Sequence, residues 1–170
     1  LQAIIVTVAP DAAGGQVWLF DESATGGKPD WVSLSVDLEI VPRDDRTSFV
    51  GQRYQMSRYP FMTQLSPHQV VFMEDVARLS NIMSGALIQL FAAINARSMV
   101  FIPLNMRGVW KGFLSIEFDR PHSFSDGEKR VYNALIGQAG VAIDNRLLLQ
   151  QTENALSRQE KLYAASRIIN

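Results

Sequence analysis

Few side chains in this sequence are placed to do covalent chemistry. There are two histidines, His68 between Pro67 and Gln69 and His122 between Pro121 and Ser123, and no cysteine. Without cysteine there is no thiol nucleophile, no thiolate metal site, no disulfide and no ligand carried through sulfur. Two lone histidines without matched carboxylates do not make a metal site. His68 stands just before an apolar run, where it could serve as an axial haem ligand; the plainer reading is a loop histidine. Ser35 and Ser115 have no histidine at a readable spacing, so a nucleophile–base–acid triad has no support. Glu74-Asp75 closes an apolar run and could bond a polar ligand, although capping of the backbone that follows is the simpler role. Asp44-Asp45-Arg46 reads as a solvated charge cluster.

The other notable set is Met56, Met62, Met73, Met83, Met99 and Met106. Methionine is unbranched and polarizable, so it fills irregular space and adapts to apolar guests. The elements that position these side chains must be built by a chain of 170 residues with 47% hydrophobic content, enough for one domain with a sizeable core. Net charge is −1, which leaves no basic field for a phosphate backbone and argues against nucleic acid. No apolar run approaches the roughly eighteen residues that cross a bilayer, and the start at Leu1 carries no signal pattern. A cytoplasmic setting is the expectation, with any membrane segment lying outside this stretch.

Leu1, Ile4, Ile5 and Val8 share a helical face, and Pro10, Asp11 and Gly14-Gly15 end it. This segment reads as the last turns of a helix that begins upstream. Gln16–Asp21 is a strand candidate, followed by a loop over Thr25–Asp30. Trp31–Ile40 alternates, with Val32, Leu34, Val36 and Leu38 expected on one face and Ser33, Ser35 and Asp37 on a wet one. The middle is irregular. Short strands are expected at Gln52–Met56 and Gln69–Met73, and a helix over Ser84–Asn95 carrying Leu87, Ile88, Phe91 and Ile94. Ser98–Leu104 and Trp110–Phe118 read as a hairpin turning at Arg107-Gly108.

From Ser125 to Asn170 there is no proline, and Gly140 is the last glycine. That predicts one helix of roughly 65 Å, opened by a capping box in which Ser125 and Glu128 satisfy each other's amides. Leu135, Ala142, Leu149, Leu156 and Tyr163 recur every seven residues, with polar Gln138, Asn145, Thr152, Gln159 and Ser166 as companions. Such a half-polar seam suits a weak dimer. A helix outreaching its globule suits a connector, so residues 1–149 are expected to form the domain and 150–170 an extension toward a following one.

Three stretches carry a family resemblance: Asn95 through Leu104 with its closing Pro103-Leu104, Trp110 through Ile116 with Gly112, and Phe124-Ser125-Asp126-Gly127-Glu128 followed by Gln138-Ala139, Ala142-Ile143 and Asn145. Gly51, Tyr59-Pro60 and Val76 add weaker support. In this order and spacing the chain resembles a GAF domain, the small-molecule-sensing module found in tandem in bacterial signalling proteins, as far as about Leu149. The resemblance implies an α+β fold: a six-stranded antiparallel sheet, the terminal helices on one face, and loops with a shorter helix closing a ligand pocket on the other. It implies Phe61, Met62, Phe72, Asp75, Met83, Leu87 and Phe91 as candidate pocket lining. The absence of cysteine rules out a bilin anchored here and the methionine-sulfoxide-reducing activity of some relatives. The Asn-Lys…Phe…Asp-Glu signature of cyclic-nucleotide binders is not visible.

The function expected is therefore a non-catalytic sensory or regulatory module with no identified cofactor and no metal. It would bind a small molecule or form a homodimer through its terminal helices. Its state would pass along the last helix to an output domain in the same chain, such as a kinase, cyclase or phosphatase. The alternatives are a purely structural dimerisation module with a filled pocket, and a haem- or chromophore-binding sensor.

Overall fold

The structure is a computed structural model that describes residues 2–21, 29–42, 48–59, 61–79, 85–106 and 108–169. In chain order its elements are α1 (Gln2–Val8), β1 (Gly14–Phe20), β2 (Trp31–Glu39), β3 (Arg53–Gln55), β4 (Val71–Met73), α2 (Gly85–Ala93), β5 (Ser98–Met106), β6 (Val109–Phe118) and α3 (Asp126–Ile169). Short 3₁₀ turns at Met56–Arg58, Met62–Gln64 and Val76–Leu79 join the middle pieces. The six strands form one sheet in the order β3-β2-β1-β6-β5-β4, and each named pairing is antiparallel. The expected α+β architecture is present, with an antiparallel sheet of six strands and a long last helix.

Alternation along the central strands builds a core on each face of the sheet. On one face Val100, Ile102 and Leu104 of β5 and Leu114 and Ile116 of β6 meet Ile5 of α1 and Tyr132, Leu135, Ala139 and Ile143 of α3. On the other face Trp18, Phe101 and Phe113 meet Leu87 and Phe91 of α2 together with Met56, Met62 and Leu65. The sheet is thus the middle layer, and β5 and β6 are buried along most of their length.

The expected single wet face of β2 is not found. Val32 and Leu34 pack on the α2 side, whereas Val36 and Leu38 pack on the α3 side. Val17 pairs with Val36 but Trp18 pairs with Leu34, so Ser35 is an extra residue in the ladder. A bulge of one residue reverses the facing of everything beyond it.

The ends of α2 and α3 follow their sequences closely. Asn95 adopts φ 53°, the amide of Ala96 donates to the Phe91 carbonyl and that of Asn95 to the Ala92 carbonyl. This left-handed helix stop is one that asparagine tolerates better than most residues. At the start of α3, the Ser125 amide donates to Glu128 Oε2 at 2.8 Å and the Glu128 amide to Ser125 Oγ at 3.3 Å. His122 Nε2 lies 2.7 Å from Glu128 Oε1, and its ring stacks on Phe118 with centroids 4.7 Å apart. The Ser125 hydroxyl donating to Glu128 Oε2 at 2.6 Å, then the Ser125 amide, and secondarily the contact with His122, hold the Glu128 carboxyl down at about 2. Burial, with a smaller push from Glu128, drives the Tyr132 phenol up to about 12.

Candidate functional site

On the α2 side of the sheet lies a cavity of about 160 Å³, lined by Pro29, Asp30, Met56, Ser57, Met62, Leu65 and Trp110. The chain reaches it from four directions. Asp30 enters just before β2, and its carbonyl accepts from the Met56 amide at 2.8 Å. Met56 is buried directly after β3, in the 3₁₀ turn that stops that strand. Met62 and Leu65 come from the next turn, where the Leu65 amide closes onto the Met62 carbonyl at 3.3 Å. Trp110 stands at the start of β6, its indole N–H donating to the Gly112 carbonyl at 2.8 Å and its ring edge-on to Phe20 at 4.7 Å.

Below the cavity the sheet carries an aromatic layer. Trp18 stacks on Phe113 at 5.9 Å and meets Tyr54 edge-on at 5.4 Å, and Phe101 lies between Phe113 and Phe61 at 5.8 and 4.9 Å. The Trp18 N–H donates to Ser115 Oγ at 3.1 Å, which gives Ser115 a structural partner in place of a catalytic one. Burial raises the Tyr54 phenol above its ordinary value, and neighbouring Tyr59 raises it further. Polar side chains continue the same face beyond Ser115. Gln16 and Glu117 are fully buried there, and Gln16 Nε2 donates to Asp37 Oδ1 at 3.3 Å.

Of the residues picked from sequence, Met62 lines the cavity. Phe61, Leu87 and Phe91 belong to the surrounding core on that face. Met83 lies outside the described residues, as do the Asp44-Asp45-Arg46 cluster and Arg107 of the expected hairpin turn. Phe72 is a correction. Its ring faces α3, 5.1 Å from Phe124 and 5.9 Å from Tyr132. In β4, alternation that turns Met73 toward α2 must turn Phe72 away. Asp75 lies outside the cavity lining as well. Its Oδ1 accepts from the Ala77 amide at 3.0 Å, and its carboxylate meets Arg78 at 3.4 Å and Arg97 at 3.7 Å. This is the capping role. Pro29, Asp30, Ser57, Leu65 and Trp110 gave no signal in the sequence, because scattered loop residues converge only once the sheet is formed.

His68 is exposed on its turn, away from the cavity lining. Among the described residues no group of three or more histidines or carboxylates could hold a metal ion.

No family model matches this sequence, and no curated protein is similar to it in sequence. The three-dimensional arrangement is similar to known structures. GAF3 of Slr1393 from Synechocystis, solved in its photoproduct state, superposes with a TM-score of 0.63 at 13% identity over 89% of this chain and 95% of its own. The chain has the GAF fold. The GAF domain of a two-component sensor histidine kinase from Bacillus halodurans gives 0.60 at 17% identity, covering 88% of this chain and 97% of its own. A phycocyanobilin-bound GAF domain from a cyanobacterial phytochrome gives 0.59 at 15% identity over 86% and 85%. Pockets for drug-sized ligands measure roughly 300–1,000 Å³, above this cavity's 160 Å³, and the sequence has no cysteine to hold a bilin thioether.

Proposed function

We propose that this GAF-fold chain is a non-catalytic sensory or regulatory module that takes a fragment-sized, largely apolar molecule and relays its presence along α3 to an output domain. The observation that carries this reading is the cavity walled by Met56, Met62, Leu65 and Trp110 on one face of the sheet, while α3 leaves from the other face. Methionine walls adapt to a guest at little cost, and Asp30 and Ser57 offer polar contacts at the rim. A guest shifts the module only by binding one arrangement of the 56–65 turns better than the other.

Cyclohexanol is a suitable probe, because it neither absorbs nor emits where tryptophan does. With Trp18→Phe and Trp31→Phe substituted, Trp110 is the remaining tryptophan and reports on the cavity by fluorescence. A saturable change in Trp110 intensity or emission maximum with cyclohexanol, abolished by Met62→Phe, is the expected result. Native mass spectrometry of the purified chain then shows whether it carries a molecule of its own. No response to any apolar fragment would leave the second reading in place.

That second reading is a homodimerising relay with a filled pocket, favoured by the small cavity and by the outer surface of the terminal helices. Val6 of α1 is exposed, as are Val131, Val141, Leu148, Leu149 and Leu156 of α3. Val141 and Leu148, and Leu149 and Leu156, are seven residues apart, the spacing of a coiled-coil seam.

A further inference from the structure

The loop that walls the cavity and the helix proposed to carry the output lie on opposite faces of the sheet. Asn105 touches both. It sits in β5 opposite a bulge in β6: Leu104 pairs with Gly112 and Asn105 with Trp110, so Lys111 is the extra residue. Its Nδ2 donates to the Pro67 carbonyl at 2.8 Å, on the same loop that brings Met62 and Leu65 into the cavity wall. Its own main-chain carbonyl faces Gly140 of α3, so closely that a Cβ at Gly140 would overlap the Asn105 oxygen. Ala139 and Ile143 are buried beside that contact and fix the same turn of the helix against the sheet. β5 itself alternates without a break, with Leu104 and Met106 both on the α3 side. Asn105 between them therefore turns its side chain to the other face while its main chain lies under α3, which is how one residue serves the loop with its side chain and the helix with its backbone.

We propose that Asn105 is the coupling residue between the 61–69 loop and α3. A displacement of the loop pulls on Asn105 through Pro67, and the main chain of Asn105 passes it to the helix at Gly140. Close packing makes this contact a discrete seat instead of a soft one. The proposal rests on the sensory reading for what moves the loop. Its test needs no ligand, so the two ideas fail separately.

Hydrogen exchange read by mass spectrometry on the whole chain makes the test, using wild type, Met62→Ala, Asn105→Ala and the double variant. Met62 is buried in the loop and belongs to the core on the face away from α3. Met62→Ala is expected to speed exchange in the loop and to change exchange at residues 137–144 by roughly twofold to thirtyfold. In the Asn105→Ala background the loop still responds, but 137–144 does not. If Met62→Ala unfolds the chain, Met62→Leu supplies the milder push. An equal response of 137–144 in both backgrounds, a uniform rise along the whole of α3, or no response there in either background would overturn the coupling role.

Discussion

Single residues decide how closely the layers of this molecule approach. At Gly112 a side chain would overlap the Trp18 carbonyl on the neighbouring strand. Both groups are backbone, so neither can move aside without parting β1 from β6. Gly112→Ala is expected to cost about 2–4 kcal/mol, read as a lower urea midpoint. Gly137 is the counter-case. It lies on the exposed side of α3 with nothing near its missing Cβ. Gly137→Ala should therefore stabilise by about 0.5–1 kcal/mol, through helix propensity alone. The two glycines are the same letter in the sequence, and only their neighbours separate them.

At the scale of the element, the start of α3 is the best-defined feature. Ser125, Glu128 and His122 tie the first turn to the loop that leaves β6, and the His122 amide donates to the Glu74 carbonyl at 3.1 Å. The Glu128 carboxyl sits at about 2 instead of 4.5, so its contribution is present above pH 4.5 and is lost as pH falls from there through 2. Wild type and Glu128→Gln should accordingly differ in urea midpoint near neutral pH and converge at about pH 2. A constant gap across that range would mean the carboxylate is not the stabilising group. Ser125→Ala removes the other half of the box and should cost about 1 kcal/mol. The β2 bulge is the contrasting element, because nothing in the alternation of Trp31–Ile40 marks Ser35 as the residue that breaks it.

For the whole molecule, the long helix sets the behaviour. Along 148–160 of α3 the described side chains are exposed, and Leu149 and Leu156 are 62% and 55% accessible. A pair of such helices would hide these leucines against each other. The Leu149→Lys, Leu156→Lys double variant is expected to be monomeric by light scattering at concentrations where wild type is dimeric. Its far-ultraviolet spectrum should still show the domain folded, because neither side chain belongs to the core. Wild type that stays monomeric throughout would remove the dimer from the mechanism.

The sequence by itself determined the elements and their punctuation. Alternation set most of the strands, the Ser125–Glu128 box set the start of α3, and Asn95 set the end of α2, because each depends on residues within a few positions of one another. The succession of elements along the chain and the family likeness were also legible, as patterns spread along the sequence. Only the tertiary structure decided which face Phe72 and the second half of β2 occupy, since one inserted residue reverses facing without altering composition. It also decided the cavity. Asp30, Met56, Leu65 and Trp110 come from separate loops and strand ends, and their meeting depends on how six strands pair and twist, which no local run of residues encodes.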